Sequence, residues 1–361
     1  MQRLKAALAT APWPGRLAFT LVMAALAGEA AALAHVPLPW MIGPLLVSAA
    51  LSLRQWPLQA SPRLRDVGQW AIGTTLGLYF TPAVLAAMLG FAWAIGVGVV
   101  WALALGYAFY RFLAWRHRDE PGLHPGAAFF AAAIGGASEM ALLAERHGAQ
   151  VDRVAAAHSL RVLMVVSLIP LAFQFSGLHG LDPSPPAVRE VHGDGLAVLV
   201  GLTVAAGLLM RRLDLPSPFV LGALAVSMGL TGSGIVLSAL PLQLVNAGQL
   251  FIGVALGTRF TPAFWHRAPR WLASVALGTL GMIMLSAGFA CALAWATGLH
   301  PATLILGTSP GGIAEMSITA KVLQLGVPTV TAFHVLRYLA VLLATGRLWR
   351  WEARRLQARA G

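Results

Sequence analysis

The sequence predicts an all-α polytopic membrane protein built from two inverted repeats. Composition is the first observation: of the 361 residues 58% are hydrophobic and 11% charged, with a mean hydropathy of +0.74, whereas soluble chains carry about 25% charged residues. The second is a duplication, in which Gly135-Gly136-Ala137-Ser138-Glu139-Met140 returns as Gly311-Gly312-Ile313-Ala314-Glu315-Met316. The third is where the charge lies. The net charge of +12 comes from Lys and Arg gathered in short connections between apolar runs, so it reports topology rather than a nucleic-acid partner.

Taken in order, the chain opens with Arg3, Lys5, an apolar run from Leu17, and Ala32-Leu33-Ala34, which together imitate a secretory signal with a cleavage site. A counterpart at about 195–210, ahead of a matching motif, makes residues 17–34 a first span instead. Val36-Pro37-Leu38-Pro39-Trp40-Met41-Ile42-Gly43 then matches Leu215-Pro216-Ser217-Pro218-Phe219-Val220-Leu221-Gly222 and opens a short second span in each copy. The third segment carries Gly68-Gln69-x-x-Ile72-Gly73-x-x-Leu76-Gly77-x-x-Phe80-Thr81-Pro82, which returns from Gly248-Gln249 to Phe260-Thr261-Pro262 with nine identities in fifteen positions. Its spaced glycines are first of all a close-packing face, on which Gln69 and Gln249 are also placed to hydrogen-bond a solute. The Thr-Pro pairs end or kink the span, because proline removes a backbone donor.

A long apolar fourth segment follows near 90–112 and 271–297, His124-Pro125 and His300-Pro301 introduce the glycine pairs, and the sixth segments carry His158-x-Leu160-Arg161 and His334-x-Leu336-Arg337. Offsets of about 176 to 180 residues therefore define a first membrane repeat at 17–175, an extracytoplasmic linker at 176–194, and a second repeat at 195–350. Residues 351–361 follow as a basic cytoplasmic tail, with Arg350, Arg354, Arg355 and Arg359 suited to anionic headgroups.

Six apolar segments per copy allow twelve spans, or five spans plus one re-entrant segment per copy, and charge decides between them. Twelve spans would turn Arg211, Arg212, Arg259, Arg267 and Arg270 outward. A glycine segment that dips in and returns leaves about 21 Lys and Arg inside against Arg189 and Lys321 outside, with Arg161 and Arg337 in the membrane. About ten residues flank the glycines on each side and rise about 15 Å, half of a hydrocarbon core of about 30 Å. The expectation is a multi-pass protein of the bacterial cytoplasmic membrane, N-in and C-in, with the glycines near the midplane.

A carboxylate at that depth costs about 2.5 to 3.5 kcal/mol and usually faces a cavity. The glycine pairs and glutamates read either as close helix packing with capped helix starts or as a pair of solute sites. His158 with Arg161, and His334 with Arg337, lie three apart on one helical face. Each arginine must find a carboxylate, a carbonyl or a bound anion, which leaves open an internal pair with a glutamate and an anion clamp with histidine as proton partner. Thr308, Ser309 and Pro310 stand where the first copy has Ala132, Ala133 and Ile134, which equips the second copy better for a polar group. The candidate solute or ion contacts are Gln69, Gly135, Gly136, Ser138, Glu139, His158 and Arg161, with Gln249, Thr308, Ser309, Gly311, Gly312, Glu315, His334 and Arg337.

The single cysteine, Cys291, excludes an intrachain disulfide or Cys cluster. No His-x-x-x-His or Glu-x-x-His cluster and no dinucleotide fingerprint is present, so neither metal, cofactor nor enzymatic activity is expected. Polar connections shorter than about twenty residues leave no room for a DNA-binding module. Inverted repeats with interrupted helices are the architecture of secondary transporters working by alternating access. The expected partners are a small molecule or ion and the lipid bilayer, with homo-oligomerisation open. The rival reading is a membrane sensor that binds a ligand without moving it.

With its Gly-Gly-x-x-Glu-Met copies, Pro-x-Pro-x-x-x-Gly segments and Gly-Gln-x-x-Ile-Gly-x-x-Leu-Gly segments, the chain resembles the bacterial AbrB family of duplicated membrane proteins from about residue 17 to 350. That family carries labels such as "ammonia monooxygenase" and "AbrB family transcriptional regulator", and shares only a name with the small DNA-binding AbrB regulators. The chain is also similar to the broad grouping of inverted-repeat cation:proton antiporters and anion transporters. The resemblance implies transport and an indirect association with regulation of gene expression, and names no substrate.

Overall fold

The computed structural model describes residues 2–177, 180, 186–188, 190–262 and 268–360, among which the chain forms sixteen helices and no strand. In the first copy these are α1 (Gln2–Thr10), α2 (Trp13–Leu33), α3 (Pro39–Leu53), α4 (Pro62–Gly77), α5 (Pro82–Gly90), α6 (Ala92–Arg116), α7 (Pro125–Ala132), α8 (Ala137–Arg146) and α9 (Val151–Ser176). The second copy forms α10 (Gly193–Arg212), α11 (Pro218–Gly232), α12 (Leu242–Gly257), α13 (Pro269–Thr297), α14 (Pro301–Thr308), α15 (Ile313–Val322) and α16 (Val327–Ala360). Arg189, Arg267 and much of the linker expected at 176–194 lie outside the described residues.

Six helices, α2, α6, α9, α10, α13 and α16, are long and apolar enough to cross a bilayer, so the chain is an all-α polytopic membrane protein. Large apolar side chains on α2 are left exposed, Val22, Leu26 and Leu33 by more than half, as a lipid-facing surface requires. The apolar helices α3, α11 and α12 have 15 or 16 residues, a rise of about 24 Å at most against a core of about 30 Å. At Thr81-Pro82 the chain bends by 81° between α4 and α5. Proline has no N–H to continue the first helix, and Thr81 Oγ1 accepts from the Val84 N–H at 3.3 Å to begin the next.

The duplication reaches the backbone. His35 and Asp214, then Leu38 and Ser217, take left-handed φ values of 46° to 53° at equivalent points of the α2–α3 and α10–α11 connections. Non-glycine residues rarely adopt that conformation, so its recurrence marks one structural unit used twice. The expected boundary at residue 350 is not a break, because α16 continues to Ala360 and buries Glu352 to 1% exposure. Arg350, Arg354 and Arg355 are exposed on a helix that also carries this buried carboxylate.

By compactness the chain divides into two units. One comprises Met1–Gly90, Ser167–His266 and Ala314–Pro328; the other comprises Phe91–Val166, Arg267–Ile313 and Thr329–Gly361. In the first unit the spaced glycines set the packing. A Cβ on Gly73 of α4 would meet the backbone of Val220 on α11, and one on Gly253 of α12 would lie 2.6 Å from the carbonyl oxygen of Met41 on α3. Each copy thus packs its glycine face on a short helix of the other copy. The equivalent glycines Gly68 and Gly248 face one another where α4 crosses α12. Ser227 Oγ, donating to the Thr74 carbonyl at 2.8 Å, and Trp70 Nε1, donating to Thr203 Oγ1 at 2.9 Å, fix α4 against α11 and α10.

The second unit holds α6, α7, α8, α13, α14 and most of α16, with the first part of α9. Phe129 and Phe130 of α7 pack with Tyr110, His147 and Trp349 at ring separations of 5.2 to 5.7 Å. This aromatic layer backs the first broken helix.

Candidate functional site

The site is built from two short helices that stop inside the second unit. His124 and His300 precede Pro125 and Pro301, whose fixed φ and missing N–H suit a first helical position, and His124 Nδ1 accepts from the Gly126 N–H at 3.0 Å. Eight residues later each helix stops, at Ala132 and Thr308, and helix resumes at Ala137 and Ile313. A helix end leaves carbonyl oxygens without intrahelical donors. In an apolar surrounding these must be met by other groups.

The His-x-x-Arg pairs meet them. His158 Nε2 lies 3.0 Å from the Phe130 carbonyl oxygen, and Arg161 donates to the Ala131 and Ala133 carbonyls at 3.3 and 3.0 Å. In the second copy His334 Nε2 lies 2.9 Å from the Leu306 carbonyl oxygen, and Arg337 donates to the carbonyls of Ser309 and Gly311. Each arginine also reaches its histidine's Nδ1, at 2.7 and 2.8 Å. A guanidinium only donates, so each Nδ1 is the acceptor and each ring is the neutral tautomer with its proton on Nε2. A second ring proton would set two donors against each other. The cation placed at a helix C-terminus also complements the helix dipole.

Among the carboxylate, carbonyl and bound anion open to each arginine, the structure shows backbone carbonyls. Within this unit, among the described residues, no ion pair joins either guanidinium to a carboxylate. The two clamps are out of step, because Arg337 spans positions two residues further along its break than Arg161 does, by the 176-residue offset.

Glu139 lies in the first turn of α8, and its carboxylate accepts from the Tyr338 hydroxyl at 2.8 Å. A Cβ on Gly136 would collide with that carboxylate, and one on Gly135 would come within 3.0 Å of the Met140 methyl. The crowding at this glycine pair thus comes from side chains rather than from backbone or from φ. Ser138 is exposed on the same turn. Thr308 and Ser309 donate to the Leu304 and Leu306 carbonyls, both at 2.8 Å, with Thr308 also 3.3 Å from the Ser286 carbonyl oxygen, so their protons serve the helix end, and among the described residues no group donates to either hydroxyl oxygen.

The second unit thus gathers Gly135, Gly136, Ser138, Glu139, His158, Arg161, Thr308, Ser309, Gly311, Gly312, His334 and Arg337. Gln69, Gln249 and Glu315 belong to the first unit. Sequence reasoning missed Tyr338, although one of only four tyrosines stands directly after a duplicated arginine where the first copy has Val162. It also missed Glu352, which accepts hydrogen bonds from Tyr110 at 3.1 Å and Tyr107 at 3.3 Å. A lone acid among the arginines of a tail was the available signal.

Comparison with known proteins agrees with this architecture. Residues 40–353 match the family described as Transition state regulatory protein AbrB. A relative in Escherichia coli (strain K12), described as a candidate regulator AbrB, is 26% identical over 316 residues, covering 86% of this chain and 88% of the relative. The uncharacterized protein YhjN of Bacillus subtilis (strain 168) is 24% identical over 347 residues, covering 89% of each chain. The chain belongs to the AbrB family of membrane proteins.

Proposed function

We propose that this chain is a secondary transporter of the bacterial cytoplasmic membrane, moving a small anionic or amphoteric solute by alternating access. The observation that carries the reading is the paired clamp: in both copies a neutral histidine and an arginine occupy the carbonyls of a helix that stops within an apolar unit. A break whose exposed backbone is answered twice by dedicated side chains is a built feature, and interrupted helices of this kind form solute sites in carriers. In this reading the two copies are inverted in the membrane, each glycine segment is re-entrant, and the peptide N–H groups at the start of α8 and α15 attract negative charge. Glu139, with its tyrosine donor, and Glu315 then play unequal parts. No catalytic step, metal or cofactor enters this proposal.

Counterflow tests it. Purified protein in liposomes preloaded with organic anions and amphoteric solutes should accelerate entry of the matching labelled solute, and Glu139→Gln should reduce that flux with expression intact. A second reading, a membrane sensor, is favoured by the regulator descriptions of the family and of the Escherichia coli relative. It expects saturable binding with no counterflow, and any effect on gene expression is indirect under both readings.

A further inference from the structure

Within the first compact unit, α3, α4, α12 and α15 line a cavity of about 200 Å³. Its wall is apolar, with Trp40, Leu76 and Ile318, apart from Thr75, whose hydroxyl donates to the Ala71 carbonyl, and a polar corner made by Asn246, Gln249 and Lys321. Asn246 and Gln249 are three apart on α12 and so share one face. Gln249 is only 7% exposed, and among the described residues its amide has no hydrogen-bond partner. It is nevertheless absent from the polar atoms sealed off from solvent, so its amide opens on the cavity. Lys321, in the last turn of α15, has no carboxylate partner among the described residues. No acidic residue lines the space. The 176-residue offset puts Glu145 at the equivalent position of the first copy, so the cation belongs to one copy alone.

We propose that this cavity binds a small organic carboxylate. The Lys321 ammonium pairs with the carboxylate, the amide N–H groups of Gln249 and Asn246 donate to its oxygens, and a compact apolar body lies against Trp40, Leu76 and Ile318. An apolar pocket with a few convergent polar groups is the usual form of a small-molecule site. A cation with two amides and no acid selects an anion over an amine. At about 200 Å³ the space suits a molecule the size of benzoate. The inference rests on the solute-binding reading above and adds the solute's class.

The test is equilibrium dialysis of labelled benzoate against the purified full-length protein in nanodiscs, with benzamide and benzylamine as neutral and cationic analogues of the same shape. Benzoate should bind at least tenfold tighter than either analogue. Lys321→Met should weaken it at least tenfold and Gln249→Leu at least fivefold, with Lys5→Met unchanged. Equal binding of benzylamine or benzamide, or full affinity in Lys321→Met, overturns the proposal. The analogue series needs only the unaltered protein, so it decides even where a variant fails to fold. Oleate supplied in the nanodisc separates the two sources of a carboxylate. Displacement of benzoate by oleate assigns a fatty acid from the bilayer, and indifference to oleate assigns a water-borne acid; both sustain the carboxylate. Benzoate binding without counterflow keeps the cavity and removes transport, whereas counterflow of another solute without benzoate binding does the reverse.

Discussion

Arg161 and Arg337 are best understood through what their geometry satisfies. Each planar fork serves two carbonyls and a ring nitrogen at once, and a lysine at the same position offers one compact charge without that fork. Removing the guanidinium leaves three acceptors unmet, two of them buried, each buried one worth about 1–3 kcal/mol, so Arg161→Met should cost on the order of 3 kcal/mol and Arg161→Lys less. Thermal unfolding in detergent should rank wild type above Arg161→Lys above Arg161→Met; equal melting temperatures would show that water meets those carbonyls as well as the arginine does. Tyr338→Phe removes one donor from Glu139 and should cost about 1 kcal/mol. A separate cluster sets a pH dependence. Between α6 and α7, Glu120 accepts from Arg153 at 2.5 Å and pairs with His117 at 2.7 Å, while His117 also reaches Ser274 at 3.0 Å. The hydrogen bond from Arg153, ahead of the pairing with His117, holds the Glu120 carboxyl below its ordinary 4.5. A carboxylate depressed by folding contributes stability that is complete above its unfolded value and is lost as pH falls through its folded value. Melting temperature should therefore drop between about pH 4.5 and lower pH. Glu120→Gln should flatten that slope while lowering stability at pH 7, and a slope unchanged by the substitution would assign it to other acids.

The glycine-rich helices show what spacing in a sequence conveys and what it omits. Gly68, Gly73 and Gly77, with Gly248, Gly253 and Gly257, read as close-packing faces, and in the folded chain each meets another backbone or a short side chain. Which helix each face meets was not legible, because that choice is made by contacts far apart in the chain: α4 packs on α11, and α12 on α3. The faces also differ from helical glycines that touch nothing, such as Gly281 on α13. Gly253→Ala places a methyl 2.6 Å from the Met41 carbonyl oxygen and should destabilise by about 1–3 kcal/mol through overpacking. Gly281→Ala meets nothing within 4 Å and should be neutral or stabilising by up to about 1 kcal/mol through helix propensity. Parallel thermal melts of the two variants read the contrast directly, and equal effects would mean that α3 and α12 separate at little cost.

At the scale of the whole chain, duplication was legible because both copies stand in one sequence, and the helix breaks were legible because a glycine pair interrupts an apolar run. The division into two compact units was not, since α9, α15 and α16 each contribute residues to both and no change of composition marks the passage. Nor was the contact between Glu139 and Tyr338, which joins a residue of the first copy to an unduplicated residue of the second. Orientation in the membrane rests on charge. Lys and Arg of the short connections favour the cytoplasmic side, and the tally above gathers them on one side only where each glycine segment returns to the side it entered, whereas either count of crossings leaves both termini on the same side. The two topologies part at the start of α13, where twelve crossings send Arg270 outward and ten keep it inside. Cys291 is exposed, so it is replaced by alanine first, and single cysteines are then placed at Pro57, Ala268 and Leu299. In whole cells an impermeant maleimide should label the cysteine at 299 and spare those at 57 and 268 until the membrane is opened. Labelling at 268 in intact cells would require the glycine segments to cross completely, and would make the two copies parallel.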